Sequence, residues 1–170
     1  MGLIAAVVLA AGEASRFGSP KQQLLLPRVL ERLELTSVDK MVVVEGAYPL
    51  ETPEDVLLVH CAEWGLGPGA SLRCGLAVLG DEVEAAVVVL ADGPNLAPAS
   101  VERVLDEWRR AGGVVVASYD GGRGHPLVLG RAEWKRIPNE GLRDVAVTLV
   151  PCDDLGAPGD VDTPEDLETL

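Results

Sequence analysis

A chain of 170 residues, 48% of them hydrophobic, is long enough to fold as one compact domain, residues 1–170, that withdraws roughly two-thirds of its unfolded surface from water. Its 14 Lys and Arg stand against 27 Asp and Glu, a net charge of −13 that repels a phosphate backbone and argues against nucleic acid as a partner. Residues 3–11 are apolar, but no basic segment precedes them and Gly12 and Glu13 end the run, so neither a signal peptide nor a membrane span is expected and the protein is expected in the cytoplasm.

In chain order, short valine-rich runs at 3–10, 41–44, 56–60, 85–91, 114–118 and 145–150 have the continuous apolar character of strands buried on both faces, the pattern of a parallel sheet. Ser71 is placed to cap a helix that carries Leu72, Leu76 and Leu79 on one face and stops at Gly80. Val101, Val104, Leu105 and Trp108 follow the i, i+3, i+4, i+7 spacing of a second helix, which Gly112 and Gly113 end. Asp162 or Thr163 caps an expected last helix whose first turn holds Pro164, where a missing N–H costs nothing. Strand then helix, repeated, predicts a three-layer α/β/α sandwich on a mostly parallel, Rossmann-like sheet. The Gly- and Pro-rich stretches 65–69, 120–124 and 156–159 are predicted as loops, and loops at the carboxyl ends of such strands are where ligands bind.

Cys61, Cys74 and Cys152 are odd in number and outside any C-x-x-C spacing, so buried thiols are expected rather than a disulfide framework or a zinc ribbon. His60 adjoins Cys61, but neighbours on a strand point to opposite faces and make a poor metal pair.

The chemistry concentrates after the first strand, where Leu9-Ala10-Ala11-Gly12 leads through small residues to Arg16, Gly18, Pro20, Lys21 and Gln22. Small residues let backbone N–H groups approach a base or phosphate. Five residues separate Gly12 from Gly18 and no Gly-Lys-Ser/Thr follows, so this is not a Walker A loop, and it lacks the G-x-G-x-x-G of dinucleotide folds. By residue type alone, it is equally a tight strand-to-helix turn with two solvated cations. Asp92 ends an apolar run before Gly93-Pro94 and suits either a turn or a hard cation that takes few protein ligands. His125, in Gly122-Arg123-Gly124-His125-Pro126, is as readily structural as it is a ligand contact.

Taken whole, the first string resembles the signature L-A-A-G-x-S-x-R-x-G-x-P-K-Q-L-L of the nucleotidyltransferases of molybdenum cofactor cytidylyltransferase and molybdopterin-guanine dinucleotide synthesis, with the small residue and Ser exchanged at Ala14 and Ser15. Trp64-Gly65-Leu66-Gly67-Pro68-Gly69-Ala70-Ser71-Leu72-Arg73-Cys74-Gly75 is similar to that family's G-x-x-x-S-L-x-x-G element, Leu90-Ala91-Asp92-Gly93-Pro94 to its L-A-D-Q-P, Gly122 to Pro126 to its G-x-x-G-H-P, and Asp160-Val161-Asp162-Thr163-Pro164-Glu165-Asp166-Leu167 to its D-I-D-T-P-E-D-L.

The resemblance implies a sheet of the nucleotide-diphospho-sugar transferase type and a nucleotidyl transfer from CTP or GTP to a phosphorylated acceptor, a molybdopterin-type cofactor, with a client molybdoenzyme as partner. It makes Arg16 and Lys21 the catalytic cations, Leu9, Ala10, Ala11, Gly12, Gly69 and Ser71 the nucleotide contacts, Asp92 and Asp160 the ligands of Mg²⁺, and His125 and Pro126 the acceptor contacts. The A-A-G and G-H-P spellings favour CTP as donor. Two departures stand out: Gly93 replaces the usual Gln, and Arg28-Val29-Leu30-Glu31 follows Leu24-Leu25-Leu26-Pro27 directly, without the glycine-containing loop L-G-G-x-P-L-L. Both leave open a rival reading, a non-catalytic nucleotide-binding or cofactor-chaperone module on the same fold.

Overall fold

The computed structural model describes residues 2–12 and 21–159. Its strands are β1 (Leu3–Ala10), β2 (Lys40–Glu45), β3 (Leu57–His60), β4 (Val83–Leu90), β5 (Val114–Tyr119), β6 (Gly122–Gly130) and β7 (Thr148–Pro151). The helices are α1 (Lys21–Glu34), α2 (Pro68–Ala77) and α3 (Pro98–Ala111). The strands form one sheet in the order β3-β2-β1-β4-β6-β5-β7. Neighbours run parallel except that β6 is antiparallel to both β4 and β5.

Alternation along the strands divides the core into two layers. Ile4, Ala6 and Val8 of β1 and Ala85, Val87 and Val89 of β4 pack with Leu26, Val29, Leu30 and Leu33 of α1 and with Val101, Val104 and Leu105 of α3. The intervening Ala5, Val7, Ala86 and Val88 face Leu72 and Leu76 of α2, together with Trp134 and Ile137. Burial on both faces is why these strands are continuously apolar in sequence. The three-layer sandwich is the predicted architecture.

The differences are local. Helix α1 was not expected, yet Leu25, Leu26, Val29, Leu30 and Leu33 form a buried stripe while Pro27 lies on the exposed side, so the helix runs on where the loop is absent. Ser71 is not a cap: α2 begins earlier, with Gly67 at its N-cap, and Ser71 is a buried residue inside it. Residues 122–124 are not a loop but the start of β6, closed by a tight turn through Asp120 (φ 52°) and Gly121 (φ 79°). Helix α3 ends at Gly112, whose N–H is donated to the Trp108 carbonyl at a φ of 69° that a side chain would strain. The last strand is shorter than the 145–150 run, because β7 pairs with β5 only from Thr148. The expected helix at Pro164 lies outside the described residues.

The cysteine expectation is corrected. Cys61 and Cys74 form a disulfide with Cα atoms 5.8 Å apart across a sequence separation of 13; Cys152 is a buried free thiol. Cys61 follows β3 and Cys74 sits on α2, and the chain folds back between them so that a linear gap becomes a contact. His60 points the other way, to Glu45 Oε2 at 3.3 Å, as alternation requires.

Candidate active site

The order of strands fixes where a ligand fits. From β1 the chain goes through α1 to β2 on one side, while β4 lies on the other side of β1, so the crevice past the carboxyl ends of β1 and β4 is a switch point of the sheet. A cavity of about 340 Å³ opens there. Its floor is Leu9, Ala10, Ala11 and Gly12 beyond β1, with Leu90 and Asp92 beyond β4. Its far wall is Trp64, Gly65, Gly67, Pro68 and Ser71, which lead into and form the first turns of α2.

Lys21, the first residue of α1, reaches Asp92 with Nζ to Oδ2 at 3.3 Å; its side chain is 8% exposed and that of Asp92 23%. Thus a cation at the start of α1 and an acid just past β4 meet beside the cavity. Gln22 follows Lys21 inward, and its Nε2 donates to the Gly12 carbonyl at 3.1 Å, which ties α1 to the backbone turn after β1. Its Oε1 is buried without a partner among the described residues.

Gly69 is not on the cavity wall. Its N–H is donated to the Asn139 carbonyl at 2.8 Å, and a Cβ there would lie 1.6 Å from the Pro138 carbonyl oxygen. Glycine at this position therefore joins α2 to the 138–139 loop. Arg73 reinforces that junction by donating to the Ile137 carbonyl at 2.6 Å and to the Asn139 side chain. Gly93, where the resemblance leads one to expect Gln, lies under Pro158 and Gly159: a Cβ would be 3.0 Å from Pro158 Cβ, and Asn95 N–H is donated to the Pro158 carbonyl at 2.9 Å. The missing side chain makes room for the segment that runs towards Asp160.

His125 and Pro126 lie on β6. His125 is half-buried; desolvation of the ring pushes its pKa down to about 4, opposed in part by the charge on Asp92. It is a neutral imidazole near pH 7, able to donate or accept one hydrogen bond and unable to act as a cation. The Tyr119 hydroxyl donates to the His125 carbonyl at 2.8 Å, fixing the β5–β6 hairpin at this point.

The structure thus brings Leu9, Ala10, Ala11, Gly12, Ser71, Lys21 and Asp92 together at one cavity and leaves Gly69 in a packing role. Arg16 and Asp160 lie outside the described residues. Sequence reasoning passed over Trp64 and Gln22 as contacts, although both stand inside the strings it quoted. Among the described residues, no three His, Cys, Asp or Glu cluster as a ready metal centre. Asp92 still fits a hard divalent ion, because such an ion takes one or two carboxylates and fills its shell with water and substrate phosphates.

The profile of the MobA-like NTP transferase domain matches residues 6–145, from within β1 to just short of β7. The chain belongs to that family. The chain is a nucleotidyltransferase by family, and its family binds nucleoside triphosphates with a divalent metal ion. Its structure is similar to the crystal structure of Rv0371c from Mycobacterium tuberculosis H37Rv, with 28% identity over 99% of this chain and 97% of that one and a TM-score of 0.83. It is also similar to Rv0371c in complex with manganese, with 28% identity over 99% and 97% of the chains and a TM-score of 0.73. Molybdopterin-guanine dinucleotide biosynthesis protein A from Archaeoglobus fulgidus shares the fold at 19% identity over 97% and 95% of the chains, with a TM-score of 0.69. No curated protein matches this transferase. No helix among its described residues is long and apolar enough to cross a membrane.

Proposed function

We propose that the chain acts as one nucleotidyltransferase domain over residues 1–170. It transfers CMP or GMP from CTP or GTP, with Mg²⁺, to a phosphorylated acceptor, for which the family resemblance points to a molybdopterin-type cofactor destined for a client molybdoenzyme. One observation carries the reading: Lys21 Nζ lies 3.3 Å from the carboxylate of Asp92, which lines one cavity with residues 9–12.

An acceptor phosphate oxygen attacks the α-phosphorus in line; the new P–O bond forms as the bond to the β-phosphate oxygen breaks, and pyrophosphate leaves. Such transfers depend on holding the reactants and on placing charge where negative charge develops. The turn at residues 10–12 seats the base and ribose, and Trp64 and Ser71 close the other side. Lys21, held by Asp92 before substrate arrives, is poised to meet the triphosphate. Arg16 supplies the second cation, and Asp92 with Asp160 holds the metal. When bound, Mg²⁺ neutralises phosphate charge and lowers the barrier to attack.

The test is pyrophosphate release from each of CTP, GTP, ATP and UTP with Mg²⁺ and molybdopterin. Release with CTP or GTP, lost in Asp92→Asn, supports the reading. Release that survives Asp92→Asn unchanged sinks it.

A further inference from the structure

The far wall of the cavity beyond β1 and β4 is a largely exposed stretch of chain whose two flanks are joined by a covalent bond. Trp64, Gly65, Gly67 and Pro68 line the cavity and lie between Cys61, just past β3, and Cys74 on α2. Within this stretch the backbone hydrogen bonds are local: Trp64 donates to the Cys61 carbonyl at 3.3 Å, Leu66 to the Glu63 carbonyl at 2.9 Å and Gly67 to the Trp64 carbonyl at 3.2 Å. Among the described residues, longer-range backbone bonds come at the flanks, from Cys61 N–H to the Glu45 carbonyl and from Gly69 N–H to the Asn139 carbonyl, each at 2.8 Å. Trp64 itself packs against bare backbone past β2, where a Cβ on Gly46 would lie 2.5 Å from its own Cβ. A stretch tied so lightly opens locally at low cost. The Cys61–Cys74 bond limits that opening.

The two sulfurs differ in access. Cys61 is fully buried, whereas Cys74 is half-buried on α2, so a thiolate from solvent reaches Cys74 first. A dithiol reductant attacks Cys74 Sγ: a mixed disulfide forms, the Cys61–Cys74 bond breaks, and its electron pair leaves on Cys61 Sγ, which takes up a proton. The second thiolate of the dithiol then displaces Cys74 Sγ, which is protonated in turn, and the reductant departs as a disulfide. Two electrons and two protons have passed to the protein. Cys61 Sγ lies 3.7 Å from the Ala70 carbonyl oxygen, an acceptor for the proton it gains. Helix α2 keeps its other ties, through Gly69, through Arg73 to the Ile137 carbonyl and through the packing of Leu72 and Leu76.

We propose that the Cys61–Cys74 bond is a redox switch on ligand affinity: oxidised, it holds the Trp64 wall in the shape that receives a nucleotide, and reduction by a dithiol releases that wall and weakens binding. The proposal rests on the nucleotidyl-transfer reading for the identity of the ligand. An ordered wall binds without first losing entropy, whereas the reduced protein must order it as the nucleotide enters. The floor at residues 9–12 and the Lys21–Asp92 pair belong to other elements, so reduction leaves those groups in place. By linkage the effect is reciprocal: a nucleotide that prefers the oxidised wall makes the bond harder to reduce by the same factor.

The experiment is calorimetric titration of the full chain with CTP and with GTP, each with Mg²⁺, after oxidation and after reduction by dithiothreitol. Acrylamide quenching of tryptophan emission is measured in both states without nucleotide. Reduction is expected to weaken nucleotide binding by about fivefold or more, and saturating nucleotide to lower the equilibrium constant for reduction by the same factor. Quenching is expected to rise on reduction in the wild type and not in Trp64→Phe, and reoxidation to restore both readings. Cys74→Ser binds like the reduced wild type in either condition, while Cys152→Ser, which keeps the bond, responds like the wild type. Equal affinity in the two states overturns the proposal. So does a rise in quenching that persists in Trp64→Phe, or unfolding of the reduced chain at the titration temperature, since the bond would then be a staple for the whole fold. Failure of both nucleotides to bind the oxidised protein overturns nucleotidyl transfer instead; the quenching comparison needs no nucleotide and still decides whether the bond holds the wall.

Discussion

The Lys21 ammonium and the Asp92 carboxylate, 3.3 Å apart, join the start of α1 to the end of β4 across the carboxyl edge of the sheet. Each belongs to a different motif, and the cavity exists where they meet. On the proposed function, Lys21→Ala and Asp92→Asn each lower the rate of pyrophosphate release by about 100-fold or more, the usual effect of removing one charge placed for a transition state. The double variant falls little further than either single one, because both side chains act on one triphosphate. Steady-state rates for the three variants check this, and fully multiplicative losses would contradict it.

Trp64 is the tryptophan on the wall of the cavity floored by residues 9–12, whereas Trp134 packs in the core on the α2 side of the sheet and Trp108 lies on α3. On the proposed function, a base entering beside residues 10–12 stacks near the Trp64 ring. CTP with Mg²⁺ therefore quenches the intrinsic emission, and Trp64→Phe removes that quench while keeping the emission of the other two. A full quench in the variant would place the base elsewhere.

The Cys61–Cys74 bond closes a loop that contains Trp64, Gly65, Gly67, Pro68 and Ser71, all on the wall of the cavity beyond β1 and β4. Cross-linking a loop of this length removes unfolded-state entropy equivalent to about 3 kcal/mol. Reduction by dithiothreitol lowers the melting temperature by about 10 °C in the wild type and leaves Cys74→Ser unmoved. Identical melting of wild type with and without reductant would show that the bond contributes nothing.

His125 makes stability depend on pH. Its folded pKa of about 4 lies below the ordinary 6.5, so the unfolded chain takes up the proton first. The folded state is favoured fully above about pH 6.5, and this contribution is lost as the pH falls towards 4. Between those values the melting temperature of the wild type drops faster than that of His125→Gln. Parallel curves for the two proteins would rule the half-buried neutral imidazole out as the cause.

Gly69→Ala forces a Cβ to within 1.6 Å of the Pro138 carbonyl oxygen and separates α2 from the 138–139 loop. The clash costs about 3 kcal/mol, seen as a lower midpoint in urea. Unchanged urea unfolding would mean the loop yields without cost.

Chain-local information carried much of this. The runs at 3–10, 85–91 and 114–118 are almost continuously apolar because both faces of their strands are covered, and with the helices between them they led to a three-layer sandwich. The Val101, Val104 and Leu105 spacing marked α3, and the strings at 9–12 and 90–94 marked the two strand ends that floor the cavity. Helix α1 was not among the expected elements; Pro27 within it lies on the exposed side of an element anchored by Leu25, Leu26 and Leu33.

Only the tertiary structure decided the rest. The reversal of β6, the Cys61–Cys74 bond, the turn of Gly69 away from the cavity and the approach of Lys21 to Asp92 all depend on which strand lies beside which. Periodicity of two or 3.6 residues reports what a residue's own element buries. Contacts between distant segments are set by strand order and loop closure, which leave no period in the chain.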